Sequence, residues 1–488
     1  MLSKIKNVLN QMLPEKDNPQ KGQRRTDKIN GIRHPERSNV QQYVTYSTTA
    51  NGNSHTGYIS TKPVKLFGRC KTNATNGKSK CPDKLQNLDK GRNLKDCWHI
   101  SSFLCAKKQI IPQESVHLFL ENCKNTKMKI TIVAGARPNF MKIAPITRAI
   151  DAAKAQGKRI SYRLVYTGIE NDTSLDASLF ADLHMKAPDA YLGVNGNNPT
   201  ELTAGIMIAF ERELTENPTH VVLVVDDLTA TMSCAIVAKK QNIKVAHLVA
   251  GTRSFDMSMP KEVNRMITDG LSDYLFTAGM VPNRNLNQTG TENETVYYVG
   301  NILIDTIRYN RNRLIKPIWF SVLGLKEHEY ILLTLNRHVL LNNKENLRKL
   351  IETLLEKANG MPIVAPLHTY VRNAIKTLDI TAPNLHIMPT QSYLSFGYLM
   401  NQAKAIITDS GNVAEEATFL GIPCITLNTY AEHPETWRTG TNELVGEDPA
   451  ALAASMDKLM NGEWKQGTLP ERWDGRTAER IVQILLGE

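Results

Sequence analysis

No run of eighteen apolar residues occurs in this 488-residue chain, so no segment has the length a membrane-crossing helix needs. Residues 1–13 carry one short amphipathic stretch, without the long apolar centre and small-residue cleavage site of a secretory leader. The cytoplasm is the expected compartment. No two cysteines stand at the Cys-x2–4-Cys spacing of closed zinc sites, and their odd total, seven, argues against a disulfide framework. His99, two residues after Cys97, is the one arrangement that suggests a metal, and ordinary thiols are the preferred reading. No GxGxxG loop follows an apolar strand, so dinucleotide binding is not indicated.

Most of the chain also lacks a charge excess. The net charge of +11 sits in residues 1–127, which hold 23 Lys/Arg against 9 Asp/Glu, whereas residues 128–488 hold 36 against 39. The basic segment is rich in Asn, Ser and Thr and lacks sustained periodicity, a composition that rarely buries enough surface to offset chain entropy. It reads as disordered, either a basic tail or a stretch without selected structure ahead of a start at Met128. Nucleic-acid binding is disfavoured, because no aromatic platform or recognition helix accompanies the charge.

At Met128 the texture changes. Short apolar runs at Lys129–Ala134, Tyr162–Tyr166, Val221–Val225, Lys244–Val249, Tyr274–Thr277 and Val296–Val299 alternate with helix-length periodic segments. After Pro317 the pattern restarts at Tyr330–Leu335, Pro362–Leu367, Leu385–Met388, Ala405–Thr408 and Pro423–Leu427. Such alternation predicts parallel sheets with both faces covered. The expectation is an α/β chain of two doubly wound Rossmann-like lobes, 128–315 and 316–470. A terminal helix within 471–488 should pack back on the first lobe, and the ligand cleft should lie between the lobes at the strand ends.

Polar clusters gather at those strand ends. Thr408-Asp409-Ser410-Gly411 leads from a strand into a helix, where free N–H groups and a hydroxyl suit a diphosphate, or where Ser410 merely caps the helix. Glu416, farther into that helix, could accept ribose hydroxyls. Arg137 and Lys142 follow the first strand and would place cations against phosphate oxygens and a departing anion. Asp227 stands at the carboxyl edge of the Val221–Val225 run, and Lys261-Glu262 and Arg265 open a later helix. Four such clusters at one sheet edge point to a site.

These segments, GARPNFMKIAPI at 135–146, AGTRS at 250–254, NRMITD at 264–269, VGNILID at 299–305, SYLSFGYLM at 392–400 and TDSGNVAEEA at 408–417, resemble the non-hydrolysing UDP-N-acetylglucosamine 2-epimerases. The resemblance covers 128–488 and implies a GT-B-like fold, a UDP-sugar ligand, a homodimer, and no cofactor or metal. It implies inversion at C2 by elimination of UDP to a glycal and its return. Arg137, Arg265, Ser410, Gly411 and Glu416 would hold UDP, Phe396 would pack near uracil, and Lys142 and Asp227 would sit near the sugar.

The departures fall on proton-moving positions. The family's Glu before Ala-Gly is Val249, the first of its paired acids is Lys261, and its His before Arg is Asn336. The Gln-His of the second strand's loop is Ile169-Glu170, the His-Gly before the catalytic Asp is Val225-Asp226, and Asn412 replaces a glycine. Glu262, beside Lys261, and His338, two residues after Asn336, are the candidates for partial compensation, and Glu262 is counted with Lys142 and Asp227 as catalytic. Three readings follow: an epimerase, a UDP-sugar-binding or oligomer-partner relative without turnover, and, on fold analogy, a glycosyltransferase.

Overall fold

The structure, a computed structural model, describes residues 127–487 apart from 176 and 289–294. The basic N-terminal segment, with Cys97 and His99, lies outside the described residues. Among the described residues no helix is long and apolar enough to cross a membrane.

Seven strands form the first sheet: β1 (Met128–Ala134), β2 (Ile160–Tyr166), β3 (Ala190–Tyr191), β4 (Val221–Val225), β5 (Lys244–Leu248), β6 (Tyr274–Thr277) and β7 (Val296–Tyr298), in the order β3-β2-β1-β4-β5-β6-β7. Every pairing is parallel. The continuous apolar character of β4 follows from burial on both faces. Val221, Leu223 and Val225 join the cluster that holds Phe140, Ile143 and Ile150 of the helix Arg137–Ala155. Val222 and Val224 point the other way, against Phe210 and Leu214 of the helix Pro199–Glu216 and Cys234 of the helix Thr229–Lys240. Alternation along the strand thus feeds two layers of helices.

The second sheet repeats the plan with β8 (Ile331–Thr334), β9 (Ile363–Leu367), β10 (Leu385–Pro389), β11 (Ala405–Thr408), β12 (Cys424–Thr426) and β13 (Asn442–Leu444), in the order β10-β9-β8-β11-β12-β13. Ile331, Leu333 and Ile407 pack on Leu347, Leu350 and Leu354 of the helix Lys344–Lys357. Leu332 and Ile406 pack on Phe320, Tyr398 and Leu399. The edge strands β3 and β13 carry two and three residues, too short for the alternation from which strands are read in sequence.

The helix Thr477–Leu486 packs on the first lobe, with Ile481 and Leu485 fully buried in the core around β1. Asp305 accepts from its first two N–H groups, Thr477 at 3.2 Å and Ala478 at 2.8 Å. A carboxylate from another helix thereby satisfies donors that a helix start leaves open. Each sheet reverses its winding at one place, between β1 and β4 and between β8 and β11. The crevices outside those strand ends are where doubly wound sheets bind ligands.

Candidate functional site

On the first lobe, β1 runs into Gly135-Ala136 and then a helix. Gly135 has no room for a side chain, since a Cβ there would lie 2.5 Å from that of Ala230. Asn139 folds back so that its carbonyl accepts from the N–H of Gly135 at 2.9 Å and of Ala136 at 3.3 Å. Its amide donates to Asp226 at 2.8 Å, and Lys142, one turn on, meets the other Asp226 oxygen at 2.5 Å. Lys142 is buried, which alone would lower its pKa. Asp226 beside it, and Glu415 and Glu432 from the second lobe, hold it above the ordinary lysine value.

Asp226 adopts a left-handed backbone with φ of 60°, which an Asp tolerates better than most residues. Its main-chain oxygen lies 2.8 Å from Nε2 of His247, whose Nδ1 is 2.7 Å from buried Asp269. This corner turns Asp227 toward the cleft. Arg265 donates to Asp227 from Nε at 3.0 Å and approaches with Nη2 at 2.6 Å, and Lys261 stands 3.4 Å away. Burial would raise the Asp227 carboxyl, but Lys261, Arg265 and Lys142 hold it below the usual carboxylate range.

Arg265 also joins the lobes. Beyond Asp227 it reaches Glu262 at 3.2 Å and, across the cleft, Glu432 at 2.9 Å. Glu262 is 1% exposed and accepts from the N–H and Oγ of Ser254, each at 2.9 Å. It supports the 253–255 loop and does not line the cleft.

On the second lobe, β8 leads to Asn336-Arg337 and β11 to Asp409-Ser410. The N–H groups of Asn336 and Arg337 both donate to Oδ2 of Asp409 at 2.7 Å, clamping the two loops together. The Asn336 side chain accepts from the Tyr370 hydroxyl. Ser410 precedes the helix Gly411–Leu420 without capping it through its side chain, so the first N–H groups of that helix remain open to an anion. Behind this turn, burial and the neighbouring Glu415 push the Glu416 carboxyl up to about 8, with Lys142 opposing.

The two edges enclose a cleft of about 280 Å³. Lys142, Asp227 and Arg265 line it from the first lobe and Ser410 and Gly411 from the second. Three other expected residues stand back from it. Glu416 is buried behind the helix turn, and Phe396 packs partly buried beside Trp319 and Tyr398. Half-buried Arg137 lies near enough to His368 of the second lobe to lower that imidazole's pKa after burial has done so.

With this geometry in hand, a family profile described as UDP-N-acetylglucosamine 2-epimerase matches residues 152–486. The UDP-N-acetylglucosamine 2-epimerase of Methanocaldococcus jannaschii is 32% identical over 372 residues, covering 73% of this chain and 99% of that protein. The chain belongs to the UDP-N-acetylglucosamine 2-epimerase family. The crystal structure of the M. jannaschii enzyme in complex with UDP-GlcNAc and UDP superposes with a TM-score of 0.65 over 74% of this chain and 100% of that one. A Pseudomonas aeruginosa relative, UDP-2,3-diacetamido-2,3-dideoxy-D-glucuronate 2-epimerase, is 32% identical over 323 residues, 65% of this chain and 88% of the relative.

For a member of this 2-epimerase family, the substituted positions are informative where they stand. Val249 lines the cleft with φ of 69°, a left-handed conformation that is a genuine outlier for a β-branched residue. Lys261 reaches toward Asp227, and Asn336 is fixed by Tyr370. Three ionisable cleft residues were not singled out in the sequence: Arg337, Glu432 and His433. Glu432-His433-Pro434 follows β12 and precedes a short helix at Glu435–Arg438. The strand-to-helix criterion that selected Ser410 would have found this pair as well.

Proposed function

We propose that this chain inverts C2 of a UDP-linked 2-acetamido sugar, taking UDP-N-acetylglucosamine to UDP-N-acetylmannosamine. The observation that carries the reading is the meeting, in one cleft, of Lys142 and Arg265 with the open helix start at Ser410-Gly411. Fixed cations and free N–H groups stabilise the charge of a departing diphosphate. The family assignment supplies the sugar and the reaction.

The C2–H of the sugar is not flanked by a carbonyl, so direct deprotonation would leave an unstabilised carbanion. Anti elimination avoids it: the C2–H electron pair becomes the C1=C2 bond, and the C1–O pair leaves on UDP. UDP then adds back as a proton reaches the other face of C2. Arg265, Ser410 and Gly411 hold UDP in this reading, with Arg137, Phe396 and Glu416 as supports around the cleft, while Lys142 and Asp227 serve the sugar end and Glu262 positions Arg265. Homodimeric assembly and a cytoplasmic setting accompany the reading, supported by the family assignment alone.

A second reading, binding of UDP-sugar without turnover, is favoured by Val249, Lys261 and Asn336. Valine transfers no proton, and an amide does not ionise. Proton NMR of the full chain with UDP-N-acetylglucosamine in deuterated water separates the two. Formation of UDP-N-acetylmannosamine with deuterium at C2 establishes the epimerase. An unchanged substrate that still shows saturation transfer from the protein refutes turnover and leaves binding.

A further inference from the structure

Inversion at C2 needs a proton carrier on each face of the sugar, and Lys142 and Asp227 stand on the first-lobe wall of the cleft. The question is what the second lobe offers. Most ionisable side chains lining the cleft are already committed: Lys142 to Asp226, Asp227 to Arg265 and Lys261, and Glu432 to Arg265. A carboxylate locked to a guanidinium is a poor base, because taking a proton forfeits the ion pair.

Three buried polar atoms of the lining have no hydrogen-bond partner among the described residues, Oγ1 of Thr252, Oδ1 of Asp409 and Nδ1 of His433, and of these only the carboxyl and the imidazole exchange protons readily near neutral pH. A buried polar atom left unpaired costs on the order of 1–3 kcal/mol and calls for an explanation. For Asp409 the other oxygen anchors two main-chain N–H groups at 2.7 Å, so its carboxyl holds the β8 and β11 loops together. His433 carries no such duty. Its imidazole is 4% exposed and its Nε2 lies 3.5 Å from Oε1 of Glu415.

The orientation of that carboxylate is set from the first lobe. The Asn301 carbonyl accepts from the N–H of Leu303 at 3.0 Å, which turns its amide to donate to Oε2 of Glu415. Oε1 is thereby left facing the imidazole. The proton of the neutral ring belongs on Nε2, beside the carboxylate, and Nδ1 keeps its lone pair. A base with an orienting carboxylate behind it is the arrangement that general-base catalysis uses.

We propose that His433 is the second-lobe proton carrier of the site, with Glu415 and Asn301 as its positioning residues. This inference rests on the epimerase reading above. Nδ1 takes the C2 proton as the C1–O bond breaks and UDP leaves, and in deuterated water it exchanges that proton before the reverse step. Lys142, a protonated ammonium on the opposite wall, delivers the proton to the other face.

The test is the rate of deuterium entry at C2 of UDP-N-acetylglucosamine, with the affinity for UDP measured by calorimetry on the same samples. The wild-type full chain is read first. No exchange there overturns the epimerase reading and this inference with it. With the wild type exchanging, His433→Gln, which keeps an amide toward Glu415, is expected to slow exchange by about 10²–10⁴-fold, the usual loss for a general base. UDP affinity should stay within about threefold. A fall of less than about tenfold, or a fall matched by an equal loss of UDP affinity, overturns the role of His433 alone. Glu415→Gln guards against a folding artefact: it should lower the exchange rate at saturating substrate while leaving the half-saturating concentration nearly unchanged. A change confined to that concentration would count against the positioning role.

Discussion

Replacing Glu416 by Gln should flatten the pH dependence of stability, and the size of the effect follows from the carboxyl's surroundings. Glu416 is buried, with the Glu415 carboxylate beside it, and its pKa stands at about 8 against an ordinary 4.5. Between those values the folded chain keeps a proton that the unfolded chain has released. Stability therefore falls as pH rises through this window: the contribution is whole below 4.5 and gone above about 8. At about 1.4 kcal/mol per pH unit, this one group removes roughly 3 kcal/mol between pH 5.5 and 8.

An unfolding entropy of ~2.1 cal/mol/K per residue over about 360 residues gives about 0.8 kcal/mol/K. The midpoint of the wild-type melt should thus drop by about 4 °C more than that of Glu416→Gln across this range. The two proteins should melt together near pH 5, where a protonated carboxyl and an amide are alike in charge and shape. The assay is a thermal melt of both full-length proteins at half-unit steps of pH, without nucleotide. Parallel curves for the two proteins would refute the argument, since they would mean that Glu416 titrates in the folded state as it does in water.

Arg265→Met should destabilise the chain by about 3–5 kcal/mol, because buried Asp227 and Glu262 and the half-buried Glu432 lose their shared guanidinium; a thermal melt should show it, and calorimetry should show weaker UDP binding. Gly251→Ala should cost at least about 1–3 kcal/mol, since φ there is 78° and a Cβ would lie 2.4 Å from the Pro282 oxygen; an unchanged melt would contradict this. Val249→Glu, Lys261→Glu and Asn336→His together should raise C2 exchange at least about tenfold, consistent with the 10²–10⁴ range for restored acid–base groups. No gain with UDP still bound would show that the cleft has diverged beyond those three positions.

The sequence made the lobes legible because each buried strand is an apolar run, and burial on both faces leaves little choice of residue type. Ser410-Gly411 was legible for a different reason: a strand, a small-residue turn and a helix start are all local. The Lys142–Asp226 pair was not. Its members are 84 residues apart, and they meet only because β1 lies beside β4, a neighbourhood fixed by sheet order. The same holds for Asn301 and Glu415, 114 residues apart and on different lobes. Glu262 shows the opposite error of scale: the residue type fits a catalytic acid, while the fold turns it under the 253–255 loop.

That difference bears on how the substitutions should be weighed. Val249, Lys261 and Asn336 were compared with the family one position at a time, and each comparison removes a proton-moving group. The fold adds what such comparison omits. Asp226, standing where the family has Gly, supplies the buried counter-charge of Lys142. Lys261, standing where the family has an acid, brings a third cation near Asp227. Each new charge is matched by a neighbour within the cleft, so the substitutions rearranged its electrostatics without leaving an unpaired buried charge, which would cost several kcal/mol. A cleft in which ion pairs are balanced and one imidazole nitrogen, one carboxyl oxygen and one threonine hydroxyl are left without a hydrogen bond among the described residues is better explained by a site organised around a ligand than by loss of function without constraint.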